Sequence, residues 1–194
     1  MHQLIDKAFE DGVALRRRCQ SELPPLLLQA AALMSDCLRT GGKILVCGNG
    51  GSAADAQHFA GELVNRFEKN RPGLAAIAMT HDASVITSIA NDFSFDDIFA
   101  RQVQALGRPG DMLLAISTSG GSPNVLRAVA AASAQQMSTI ALTGKDGGAL
   151  GRAEGVTLHL NIPHPSTPRV QEMHITVLHI LCTLIDETLY GDQA

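Results

Sequence analysis

Ser52, His58 and Glu62 stand within eleven residues of one another, in a stretch that reads Lys43-Ile-Leu-Val-Cys-Gly-Asn-Gly-Gly-Ser52 and continues to Glu62. His58 and Glu62 are four apart, which on a helix puts both on one face with Cβ atoms about 6 Å from each other. That pair suits proton transfer or metal binding. Before them comes a glycine turn, Gly48-Asn49-Gly50-Gly51, then Ser52, expected as the cap of the helix. A strand, a tight turn and a helix N-terminus together make an anion site, because the free N–H groups of the first turn point outward. A second donor-rich loop follows later: Ser117, Thr118, Ser119 and Ser122 place four hydroxyls in six positions. No fixed positive charge lies among them, so they suit a phosphomonoester held by backbone and hydroxyl donors.

The elements around these residues alternate. Residues 43–47 predict a first strand and 52–67 its helix, followed by a second strand over 74–79. Residues 82–90 predict a short helix capped by Asp82 and interrupted by Asn91 and Asp92, and 95–106 another. Strands at 112–116, 138–143 and 156–162 follow, with helices at 123–135 and 169–190. This pattern predicts a five-stranded parallel sheet with helices on both faces, in the order 2-1-3-4-5. That order sets the loops after strands one and three side by side at the switch point. Two amphipathic helices, 3–20 and 25–39, precede the first strand; their apolar faces are expected to pack on a partner subunit.

Composition narrows the function classes. The chain has 194 residues and a net charge of −4, which gives no general attraction to nucleic acid or an anionic membrane surface. Arg16, Arg17 and Arg18 form the one basic run, short and within a helical pattern, so a solvated helix face or an interface is expected there. No run approaches the ~20 apolar residues of a membrane span, and the first twenty residues lack an apolar leader core. Cys19, Cys37, Cys47 and Cys182 are scattered, without CxxC spacing, and read as buried free thiols in a reducing cytoplasm. Gly48, Gly50 and Ala53 also fit a dinucleotide fingerprint, but Thr80 ends the second strand where that site needs an acid. No Walker A lysine follows the first turn.

With these residues in view, the chain resembles the sugar-isomerase (SIS) domain family and, within it, the phosphoheptose isomerases. The resemblance rests on Cys47 to Ser52, His58 to Glu62, Ala90-Asn-Asp92, Gly110 to Gly120, Leu142-Thr-Gly-Lys-Asp-Gly-Gly148, and Arg169-Val-Gln-Glu-Met-His174 continuing to His179. It implies a single SIS domain over 1–194, flavodoxin-like, whose helices within 1–40 pack in a homotetramer with active sites between subunits. It implies an aldose–ketose isomerase acting on sedoheptulose 7-phosphate through an enediol(ate), in heptose and lipopolysaccharide-core synthesis. Glu62 matches the family's base and His179 its catalytic histidine. One zinc ion is implied on His58, Glu62, Gln171 and His179. Asn49, Gly50, Gly51, Ser52, Glu62, Asn91, Asp92, Ser117, Thr118, Ser119, Ser122 and Gln171 are the implied substrate contacts. Pro168 departs from relatives that carry an acid there.

Alternatives stand beside these assignments. Glu62 alone reads equally as a polar helix face, and His179 in the apolar run 175–184 as a core histidine. Gln171 and His179 lie eight residues apart on one helix, about 12 Å along the axis, so a shared metal site is expected to draw on more than one subunit. A rival class is a non-catalytic tetrameric scaffold of the same fold that binds the bacterial replication initiator. A third, a sugar-phosphate-sensing regulator, usually carries a DNA-binding domain, and no basic helix-turn-helix segment is evident.

Overall fold

A computed structural model describes residues 1–191. Five strands, β1 (Ile44–Cys47), β2 (Ala76–Ala78), β3 (Met112–Ser117), β4 (Ser138–Gly144) and β5 (Leu158–Ile162), pair in parallel in the order β2-β1-β3-β4-β5, as the sequence predicts. The helices are α1 (His2–Glu22), α2 (Pro24–Arg39), α3 (Gly51–Val64), α4 (Ala83–Asp92), α5 (Ala100–Leu106), α6 (Pro123–Ala134) and α7 (Thr167–Tyr190).

Side chains of the central strands alternate between two cores, as the two-residue period of a strand requires. Ile44, Val46, Met112, Leu114 and Ile116 face the side covered by α2, α3 and α7. Leu45, Cys47, Leu113 and Ala115 face α5 and α6. Both faces are buried, so β1 and β3 read as unbroken apolar runs. All four cysteines are free and buried. Burial pushes the thiols of Cys47 and Cys182 up to about 12, which removes them as nucleophiles.

Several boundaries differ from expectation for local reasons. Ser52 is not the cap of α3: Gly50, at φ +55°, turns the chain early and takes that position. The same helix ends at Val64 rather than 67, because the Leu63 carbonyl is taken by Leu74 N–H (2.9 Å) and by the Arg71 guanidinium (2.8 Å). Asp82 does cap α4, accepting from Val85 N–H at 3.0 Å. However, α4 runs through Asn91 and Asp92 instead of breaking there. The stretch 95–106 is split: Ser94 caps a 3-10 turn, Phe95–Asp97, before α5 begins.

α1 buries only Leu15 and Cys19, and its Leu4, Ile5, Phe9 and Val13 stand exposed. The three arginines lie on its exposed side, where Arg18 pairs with Glu22 at 2.9 Å. Among the described residues no helix is long and apolar enough to cross a membrane.

α7 is pinned to the sheet by His174, which is fully buried and donates from Nε2 to the Thr143 carbonyl at the end of β4 (2.9 Å). Its Nδ1 has no partner, and burial lowers its pKa to about 4. The unfolded chain therefore binds a proton between pH 6.5 and 4 that the native chain refuses. The neutral ring's contribution is complete above pH 6.5 and is lost as pH falls toward 4, at most about 3 kcal/mol. We expect denaturation midpoints to fall over that window, and His174→Gln, which keeps a donor without titrating, to flatten the fall. An equally steep loss in the variant would assign acid sensitivity to other groups.

Candidate active site

The parallel register Cys47↔Ala115 sets the two donor loops beside each other. A reciprocal amide pair locks them together. Asn49 Nδ2 donates to Asn124 Oδ1 and Asn124 Nδ2 donates to Asn49 Oδ1, both at 2.9 Å. Asn124 is buried and also accepts from Val125 N–H, so its rotamer is fixed from two sides. Sequence reasoning missed Asn124. The available signal was an amide directly after Ser122-Pro123 in a helix's first turn, where a solvent-facing or capping role is the usual reading.

Within the second loop Ser122 sits at the N-cap position of α6, but its hydroxyl meets Ser117 Oγ at 3.1 Å instead of capping. Ser119 Oγ accepts from Gly121 N–H at 3.2 Å. Ser52 and Ser117 are buried, Thr118 and Ser122 half-buried, and Ser119 exposed. The loop after β4 holds this one from behind. Leu150 N–H donates to the Gly120 carbonyl at 2.7 Å, and the backbones of Gly120 and Gly147–Gly148 approach too closely for any side chain. All three glycines have positive φ. The Gly147-Gly148 pair of the quoted motif thus has a local reason: it lets the two loops touch backbone to backbone.

α3 and α7 run side by side in the same direction. The Gln171 amide lies against Gly51 at the start of α3, and one to two turns on, His58 Nε2 meets His179 Nε2 at 2.9 Å. Glu62 Oε1 is 3.2 Å from His58 Nε2. Phe67 stacks on the His179 ring, centroids 5.5 Å apart. His179 is half-buried and faces this cluster, while the core histidine of α7 is His174. Asp55, one turn before His58, has an Oδ2 with no partner, and burial raises its pKa to about 6 against the pull of His58. Asn91 and Asp92 are exposed at the end of α4 and bond each other at 2.8 Å. Pro168 lies in the first turn of α7, a position that needs no N–H donor.

Two imidazole nitrogens and a carboxylate are a donor set that zinc accepts. Among the described residues no three His, Cys, Asp or Glu side chains already stand in a metal-binding arrangement; this cluster closes on itself by hydrogen bonds. Gln171 lies toward the donor loops, eight residues before His179, about 12 Å along α7.

The family model of the SIS domain matches residues 9–144. The chain belongs to the SIS domain family. α7, with Gln171 and His179, lies beyond that matched range, but full-length relatives include it. A phosphoheptose isomerase of Thiobacillus denitrificans is 53% identical over 192 residues, covering 98% of each chain. Solved phosphoheptose isomerases of Neisseria gonorrhoeae (46% identity, TM-score 0.90, 96% of this chain and 98% of that one) and Francisella tularensis (44%, 0.91, 95% and 97%) share the fold. The sheet order and the family membership both stand as the sequence reading expected.

Loss of the amide pair tests the loop geometry. Asn124→Ala leaves the Asn49 amide without its partner, and we expect inorganic phosphate to bind about tenfold more weakly by titration calorimetry, roughly 1.4 kcal/mol. Unchanged binding would show that the loops keep their shape without it.

Proposed function

We propose that this chain is a phosphoheptose isomerase that converts sedoheptulose 7-phosphate to D-glycero-D-manno-heptose 7-phosphate. The observation that carries the reading is the meeting of His58 and Glu62 on α3 with His179 on α7, beside paired loops of phosphate donors. It stands on a chain that aligns over nearly its whole length with proteins of that name. Interconverting a ketose and an aldose needs a base at the carbons and a group that handles the oxygens' protons. Glu62 takes a C1 proton to give the enediol(ate) and returns it to C2. His179 serves as the acid that moves the hydroxyl protons and assists ring opening.

The C7 phosphate is held by Ser52, Ser117, Thr118, Ser119 and Ser122, with Asn49, Gly50 and Gly51 shaping the turn. Gln171, Asn91 and Asp92 address the sugar hydroxyls. A zinc ion on His58, Glu62, His179 and Gln171 would polarise the C1 and C2 oxygens as a Lewis acid. Because Gln171 lies toward the opposite end of the groove from His179, we propose that a second copy of the chain completes the site. A homotetramer would cover the exposed apolar stripe of α1 and the apolar groove of about 460 Å³ between α1, α2 and α7. The product would feed the heptose of lipopolysaccharide core, in the cytoplasm.

The replication-initiator scaffold is the weaker reading. Such a protein has no use for an acid–base cluster, and here Glu62 and His179 stand at contact distance of one histidine.

Turnover of sedoheptulose 7-phosphate decides between them. We expect native protein to turn over and zinc to raise the rate after chelation. Glu62→Gln should lose at least about 1,000-fold in kcat, some 4 kcal/mol of barrier. A folded protein that is inactive in every metal condition would reject the isomerase and favour the scaffold.

A further inference from the structure

Arg71 follows α3 and is almost wholly buried, its side chain 1% exposed. Its guanidinium reaches four acceptors. Nε donates to Asp186 Oδ1 on α7 at 2.6 Å, one terminal nitrogen to the Leu63 and Pro72 carbonyls at 2.8 and 3.1 Å, and the other to the Glu62 carbonyl at 3.0 Å. The cation thus sits at the negative end of α3 and grips the backbone of the proposed base itself. Asp186 lies seven residues after His179, two turns along the same face of α7, and its side chain is 3% exposed. One planar group ties the end of α3 that carries Glu62 to the part of α7 that follows His179.

Stability alone does not explain this arrangement. A buried ion pair roughly breaks even against apolar side chains of the same volume. Here one carboxylate oxygen, Asp186 Oδ2, is left without a partner. What apolar side chains cannot supply is a rigid fork whose N–H groups address two successive helix carbonyls and a carboxylate together.

We infer that Arg71 and Asp186 are positioning residues for the proton transfer: together they set the spacing of α3 and α7 at which Glu62 and His58 face His179. The inference rests on the isomerase reading above. The donor loops lie at the opposite end of α3, so phosphate affinity does not depend on the pair.

The test is steady-state kinetics of native protein and of the double variant Arg71→Met/Asp186→Leu, which replaces both charges with apolar side chains of similar size. Sedoheptulose 7-phosphate is the substrate and inorganic phosphate the competitive probe. We expect the double variant to fold with a melting temperature near native. Its kcat should fall at least tenfold, while KM and the inhibition constant for phosphate stay within about twofold. A folded double variant with native kcat overturns the inference, as does a loss that falls equally on KM and phosphate affinity. If the double variant does not fold, Arg71→Lys, which keeps the charge but not the fork, is judged by the same split. If neither folds, the pair is a requirement of the fold and the inference is overturned. Absence of turnover in the native protein removes the isomerase reading itself and the inference with it, an outcome distinct from the others.

Discussion

The pairing of β1 with β3 is the constraint on which the site depends. These strands are not adjacent in sequence, and each is buried on both faces, so a residue of slip would exchange the two cores. Fixing Ile44 opposite Met112 and Cys47 opposite Ala115 delivers the glycine turn and the serine loop to the same end of the sheet. The Asn49–Asn124 amide pair then converts neighbouring loops into one rigid donor surface. The loop after β4 seals it from behind, through glycine backbones that admit no side chain.

On the proposed reading, binding and chemistry are divided along α3. Its start adjoins the glycine turn and its last turns carry His58 and Glu62. α7 repeats the division, with Gln171 near the loop and His179 near the acid–base pair. His174 anchors α7 to the sheet between those two residues, and Asp186 ties it to α3 beyond them. The helix bearing half of the proposed catalytic pair is therefore fastened by buried polar contacts on either side of His179.

The fold was legible in the sequence because its signals are local and repeated: apolar runs of strand length, glycine-rich turns, and helical periods between them. The alternation of strands and helices points to the order 2-1-3-4-5, and that order brings the donor loops after the first and third strands together at the switch point. The residues that the structure adds are those whose partners lie far along the chain. Asn124 answers Asn49 across 75 positions and Arg71 answers Asp186 across 115. The immediate neighbours of Asn124 suggest only a capping or solvent-facing amide, and those of Arg71 only a turn. Arg71 stands among the turn-forming residues Asn70, Pro72 and Gly73, yet its side chain is buried. Of the two histidines of α7, packing puts His174 in the core and turns His179 toward His58.

The common direction of α3 and α7 has an electrostatic consequence. Neighbouring helices that run in opposite directions largely cancel each other's fields. Here Gln171 lies beside Gly51 and Asp186 beside the end of α3, so the two fields add. The N–H ends of both helices lie toward the donor loops, which contain no lysine or arginine of their own, and their carbonyl ends lie toward the buried Arg71. On the isomerase reading, a dianionic phosphate would meet backbone N–H and hydroxyl donors there and leave without breaking a salt bridge, as turnover requires of a group that takes no part in the chemistry.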